Sequence, residues 1–432
     1  MIVDTQYLSR FRHPGTKRGV HWTPIVNHHN IDLWADRASE MGMGWALVMD
    51  NGQVGGDGKT SSTDLCVALL RRGIEPVVRV YRGEPNPGLL SVDEKRAITA
   101  LVNQGVEYFS LNCEPNLPVE WKAGEWQKGG RPELVMDGWV RDALFVSSVG
   151  GVPGYPPLAP CSHHPESGSI PWNIRAINYL RKMYPDEVKQ LIAQRLFAAT
   201  HDYSSNHFYR TAQGVWHFEY PYDPIAIEKK RGTFLQDDNS INGWRAFDHL
   251  FSEAFGVHIP IIGTEGGIVA KGGFFQEDTD YPGYDDNSMA EAVVAMYDYI
   301  EEETPPNYFG LCSWILVNRE NGGHDENWEK AAWYKPGKVL PVVKALVEHQ
   351  QKPTPKPTKI DPEGVAWDLL GIARNPKAAL YRTAKAAKLG APRTPEREVI
   401  IGDRTFIFQV FSLGYAYCEK GDWNNVLTGS LP

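Results

Sequence analysis

Cysteine is scarce in this 432-residue chain. The five residues, Cys66, Cys113, Cys161, Cys312 and Cys418, are odd in number and widely spaced, with no Cys-x-x-Cys pair. That excludes a disulfide framework or a zinc site as the organising device. No apolar run approaches the roughly 18 residues of a membrane-spanning helix. Positive charge is also short: 44 Lys and Arg against 53 Asp and Glu leave a formal net charge of -9, without a long basic run. This argues against nucleic acid and anionic membrane as partners. The start, Met1-Ile-Val-Asp-Thr-Gln, has neither the basic segment nor the apolar stretch of a signal peptide, so none is visible and the compartment stays open. The pairs His28-His29 and His163-His164 lack ligand spacing, because adjacent residues point in different directions, and His324-Asp-Glu326 reads as a solvated loop. No metal and no cofactor is expected.

What is present is a hydrophobic fraction of 42%, enough for a large core, together with 14 Trp and 19 Tyr, several of them in predicted loops. Loop aromatics suit sugar stacking as well as ordinary packing. The most informative stretch is Val106-Glu-Tyr-Phe-Ser-Leu-Asn-Cys-Glu-Pro-Asn116, an apolar, β-prone run ending in a carboxylate and Pro115. Proline cannot donate to a sheet ladder, so Glu114 is placed at the carboxyl end of a strand. Ile259-Pro-Ile-Ile-Gly-Thr-Glu-Gly-Gly267 repeats the design and delivers Glu265 into a Gly-Gly turn. Two glutamates at the carboxyl ends of two strands are what a glycosidase in a (β/α)8 barrel needs, one as acid/base and one as nucleophile.

The chain in order supports that class. Strands are predicted at 19–24, 45–50, 75–81, the Glu114 stretch, 196–203, 259–267 and 308–316. Helices are predicted at 30–43, 62–72, from a Ser91/Glu94 capping box to near Gly105, 132–149, 172–194 broken at Tyr184-Pro185, 243–255, 288–303 and 339–349. The fifth strand is either Tyr155-Pro-Pro-Leu-Ala-Pro160, whose prolines make it poor by local rules, or 143–149. Eight β/α units are thus complete by about residue 350, so residues 1–350 form an α/β domain, a TIM barrel. Residues 351–360 alternate Pro with Thr and Lys as a semi-rigid linker. Residues 361–432 form a small α+β unit, with a helix starting at Asn375-Pro376, ending at Leu389-Gly390, and a hairpin turning at Gly402-Asp403.

With these residues in place, 19–350 resembles glycoside hydrolase clan A, the retaining (β/α)8 glycosidases. Glu114 in Asn-Cys-Glu-Pro-Asn matches the clan's strand-four acid/base, and Glu265 in Gly-Thr-Glu-Gly-Gly its strand-seven nucleophile. His201-Asp-Tyr203 is similar to the strand-six His-x-Tyr whose Tyr bonds the nucleophile. Trp314 stands where the clan places a strand-eight Trp under the sugar, and Arg79 matches the arginine beside the nucleophile, although it lies on strand three. The clan's Asn before the acid/base is replaced by Cys113, with Asn112 one residue further back. Trp22 and Trp121 complete the candidate sugar contacts; Trp121, Trp126 and Trp328 fall in loops after strands four and eight. The tail resembles one unit of the LGFP-type repeats of cell-wall-associated proteins through Leu389-Gly-Ala-Pro392, Glu396, Gly402, Phe411, Gly414 and Trp423.

The resemblance implies an oligosaccharide or polysaccharide substrate, double displacement at Glu265 with Glu114 as acid then base, and a cell-wall glycan contact through the tail. An alternative of a different class stays open: a catalytically weak carbohydrate-binding or cell-surface protein on a barrel scaffold. Loop shape sets the sugar, the linkage and endo or exo action, and composition does not reveal it.

Overall fold

The computed structural model describes residues 4–430 except 27, 127–129, 161–166, 273–274, 276, 319–325, 352–377, 390–392, 395, 402–403 and 412. Two compact units result, Met1–Lys352 and Pro353–Pro432.

In the first unit, eight strands pair in parallel and close on themselves. They are β1 (Arg18–His21), β2 (Trp45–Asp50), β3 (Glu75–Val80), β4 (Tyr108–Ser110), β5 (Val152–Tyr155), β6 (Phe197–Tyr203), β7 (Ile261–Gly267) and β8 (Tyr308–Ser313). Each neighbours the next, and β8 returns to β1. The strands are buried almost throughout, because helices cover the barrel outside while side chains fill it inside. Local signals set the helices. Ser91 and Glu94 form the expected capping box, and Tyr184-Pro185 separates Ser169–Met183 from Pro185–Gln194. This is a (β/α)8 barrel.

The fifth strand falls between its two candidate positions. Residues 143–149 belong almost entirely to the helix Pro132–Ser148, and 156–160 run on beyond the strand as loop. The strand itself is Val152-Pro-Gly-Tyr155, short and locally unfavourable. Its neighbours demand that composition: a Cβ on Gly154 would meet the Phe197 ring at 2.7 Å.

The second unit contains a four-stranded antiparallel sheet, β9 (Arg397–Ile401), β10 (Arg404–Phe411), β11 (Gly414–Glu419) and β12 (Leu427–Ser430), with a helix at Ala379–Ala386. Leu380, Tyr381, Ala384, Leu389, Ile407, Phe411, Ala416 and Cys418 form its own apolar core. The linker, the helix start at Asn375-Pro376, Gly390 and the Gly402-Asp403 turn lie outside the described residues. Because each unit encloses a core of its own, a chain ending at Lys352 is expected to melt within a few degrees of the full chain's barrel transition. Calorimetry checks this, and a large loss of melting temperature or soluble yield overturns it.

Candidate active site

The carboxyl ends of the strands open into a cavity of about 610 Å³ whose lining includes Arg79, Asn112, Glu114, Tyr203, Glu265 and Trp314. Glu265 reaches this position through a bulge in β7. The pairing runs Thr200 with Gly263, then His201 with Glu265, so Thr264 is an extra residue whose hydroxyl donates to the Thr200 carbonyl at 3.3 Å. An extra residue re-aims the side chains that follow it. Gly266, at φ 146°, must be glycine, because a Cβ there would lie 2.4 Å from the Asp202 carbonyl oxygen.

Glu114 stands four residues past the last paired residue of β4, at φ 36°. That left-handed conformation costs a non-glycine residue about 1–3 kcal/mol. Its carbonyl accepts from Leu117 N at 2.9 Å, and Trp121 Nε1 donates to the Pro115 carbonyl at 2.8 Å. The turn is further stapled on both sides. Asn86 Nδ2 donates to the Cys113 and Glu120 carbonyls at 2.9 and 3.1 Å, tying the loop after β3 to the loop after β4. Asn116 bonds both the N–H and the C=O of Ala159, at 3.0 and 2.8 Å, tying that loop to the one after β5.

Four side chains join the two carboxylates. Arg79 Nη1 donates to Glu265 Oε1 at 2.5 Å, and the Tyr203 hydroxyl donates to Oε2 at 2.9 Å, so both nucleophile oxygens are held. His201 contacts Glu114 Oε1 through Nδ1 at 2.7 Å and Arg79 Nη2 through Nε2 at 3.1 Å. A guanidinium can only donate, so Nε2 accepts and Nδ1–H donates to Glu114, an assignment inferred from the partners of the ring. His201 Nε2 also lies 3.6 Å from Glu265 Oε1, so one imidazole spans the gap between the carboxylates. His21, 3.8 Å from Glu265, packs against the Trp314 ring at 4.4 Å.

The charges follow from these contacts. Burial alone would raise the Glu265 pKa; His201, Arg79 and His21 more than reverse this and hold it at about 2. Burial pushes His21 down to about 3, so that ring is neutral near pH 7. The fixed charge of Arg79 is therefore the support that persists at every working pH. Burial also raises the Tyr203 hydroxyl well above its usual value, as does the facing Glu265 charge, so it stays a donor. The Cys113 thiol is likewise pushed well up by burial, although Arg79 opposes this, and it remains a thiol rather than a thiolate nucleophile.

Cys113, His201 and Glu265 are the one group among the described residues whose ligand atoms gather closely enough for a metal ion, all within 4.8 Å. Arg79 contacts all three, with Cys113 Sγ at 3.4 Å, so a fixed cation already sits where a metal would.

The structure thus brings Glu114, Glu265, Asn112, His201, Tyr203, Trp314 and Arg79 to one site, with Asn112 donating to Asn86 Oδ1 at 2.9 Å. It does not bring Trp22 or Trp121 to the cavity. Trp22 is fully buried against Trp34, because the strand turns His21 rather than Trp22 inward. Trp121 is buried edge-on to Trp126, where it supports the Glu114 turn. Trp328, on the helix Glu326–Ala331, does line the cavity, edge-on to Trp314 at 5.1 Å. Sequence reasoning missed His21, Asn86, Asn116 and Glu120; the Asn-Pro and Pro-Asn turns at 86–87 and 115–116 were the only signals for the two asparagines.

No family model matches the chain, and no curated protein does. Among solved structures it is similar to a glucosidase from Croceicoccus marinus, at 9% identity and TM-score 0.45, covering 78% of this chain and 68% of that one. It is also similar to a GH1 beta-glucosidase from the fungus Humicola insolens, at 14% identity and TM-score 0.41, covering 74% and 87%. A family 1 b-glucosidase from Thermotoga maritima is similar at 14% identity and TM-score 0.34, covering 70% and 84%. The barrel assignment rests on the strand pairing described above.

Proposed function

We propose that this chain is a retaining glycoside hydrolase of the clan A type, cleaving β-glycosidic bonds by double displacement. The observation that carries this reading is the unequal pair of carboxylates on one imidazole. Glu265 is locked and ionised by Arg79 and Tyr203, and Glu114 faces the same cavity from three strands away around the barrel. In the first step a Glu265 oxygen bonds to the anomeric carbon, the C–O bond to the leaving group breaks, and Glu114 gives that oxygen a proton. In the second, water attacks the same carbon, Glu114 takes its proton, and the Glu265 carboxylate departs.

This mechanism requires carboxyl groups about 5–5.5 Å apart and two inversions, so the first product keeps the β configuration. An aryl β-glycoside screen followed by ¹H NMR of the nascent sugar tests it; an α-anomer as first product overturns it. Cys113, standing where the clan has Asn, favours a second reading as a glycan-binding protein of weak activity. Tight glycan binding with no turnover in the same screen decides for that reading.

For the second unit we propose a cell-wall glycan contact, as the LGFP resemblance implies. Phe406, Phe408, Tyr415 and Tyr417 lie on the sheet face opposite the helix-packed core, with Phe408 and Tyr417 stacked at 4.8 Å. Aromatic faces of this kind suit sugar rings. Co-sedimentation with insoluble wall polysaccharide should be lost in the chain ending at Lys352; equal sedimentation of both chains refutes the contact.

A further inference from the structure

The leaving-group half of the cavity differs in chemistry from the sugar half. The acid in a double displacement stands beside the departing oxygen, so the leaving group lies on the Glu114 side. In the barrel order, Glu114 is flanked by the loops after β3 and β5. Those loops, with its own, line the cavity with Tyr81, Pro85, Leu117, Val119 and Pro160. Tyr81 and Val119 are exposed at 51% and 71%, apolar surface left open to the cavity rather than packed.

Several polar groups of these loops are already engaged. Asn86 and Asn116 are consumed in stapling the three loops, and Arg82 turns to the Leu111 carbonyl and to Glu94 at 3.7 Å. The loops are therefore tied together, and among the described residues the remaining carboxyl on this side, besides Glu114, is Glu120. Burial first, then the facing Glu114 charge, raises Glu120 to about 7, although Arg79 opposes this. The sugar half is different: His21, Tyr203, Trp314 and Trp328 around Glu265 offer stacking faces and hydrogen-bonding groups.

We propose that the leaving-group subsite, walled by Tyr81, Pro85, Leu117, Val119 and Pro160, takes an apolar alkyl or aryl aglycone rather than a second sugar. The inference rests on the glycosidase reading and names its substrate class. Among the described residues a sugar there would set most of its hydroxyls against apolar walls, with the Glu120 carboxyl and the Tyr81 hydroxyl as the nearest polar partners, whereas an alkyl chain buries its methylenes.

The test is a chain-length series, methyl through hexyl β-glycosides of the sugar that the aryl screen identifies, beside the β-linked disaccharide of the same sugar. The expected result is a kcat/KM that rises about twofold or more per methylene, so that hexyl exceeds methyl by at least about 30-fold and also exceeds the disaccharide. In Val119→Asp the hexyl-to-methyl ratio should collapse towards one; a ratio taken within one variant is unaffected by loss of folded enzyme. A flat series, or a disaccharide that outpaces the hexyl glycoside, overturns the proposal and leaves the glycosidase reading standing. No turnover of any β-glycoside removes that reading, and the proposal with it.

Discussion

Replacing Glu265 with alanine should abolish turnover of every β-glycoside, whatever its leaving group, because no glycosyl-enzyme can form. The loss expected for a missing nucleophile is on the order of 10⁶-fold in kcat. The same change leaves the buried Arg79 without its carboxylate, and stranding one partner of a buried pair costs roughly 3–5 kcal/mol. Glu265→Gln is therefore the companion variant, since the amide oxygen still accepts one hydrogen bond; it should be folded and equally inactive. The pH dependence has a definite sign. Glu265 is held at about 2, below the ordinary carboxylate value of 4.5, so its ionised form favours the folded state above that ordinary value. The advantage fades as pH falls towards 2. The melting-temperature gap between wild type and Glu265→Gln should accordingly narrow from pH 5 downwards, and no acid limb of activity above about pH 3 should belong to this residue. Wild-type turnover in either variant would remove Glu265 from the mechanism.

How much of this was legible in the sequence varies with the length and context of each strand. β6 and β7 are seven residues long and open on apolar residues, and both end where the sequence places their ends, at Tyr203 and at Gly266-Gly267. His201, Tyr203 and Glu265 therefore came to the same rim. β5 is four residues long, with a proline and a glycine, and is stabilised by what surrounds it: Phe197 needs the space at Gly154, and no local signal carries that requirement. β1 shows the same limit at the side-chain level. All four of its residues are buried, as expected where both faces of a parallel strand are covered, so no alternation reveals which residue faces the axis. His21 was therefore not singled out, and Trp22, named as a sugar contact, is buried away from the cavity. Arg79 shows the reverse: its strand was correctly placed, but the contact with Glu265 crosses the barrel mouth and depends on closure of the whole sheet. The bulge at Thr264, which brings Glu265 opposite His201, is likewise a property of pairing rather than of the local stretch.

Replacing Glu114 with alanine should divide substrates by leaving group, and this contrast assigns its role. Glycosides with poor leaving groups need protonation and should slow by about 10²–10⁴-fold. Dinitrophenyl glycosides depart without acid help, so their first step should proceed at close to the wild-type rate. The second step then lacks its base, and the glycosyl-enzyme should accumulate, visible as an initial burst of dinitrophenolate followed by slow turnover. Azide needs no deprotonation. One of its nitrogens bonds to the anomeric carbon as the Glu265 carboxylate leaves, which restores turnover and yields a β-glycosyl azide of retained configuration. The structure adds a check on the variant itself. Truncating Glu114 leaves His201 Nδ1–H without its acceptor, while the bonds from Arg79 and Tyr203 to Glu265 remain, so the nucleophile stays in place. An azide product of inverted configuration, or equal losses for dinitrophenyl and alkyl glycosides, would show that Glu114 is not the acid/base. Glu120, which lines the same cavity from the turn after Glu114, would then be the carboxyl to test in its place.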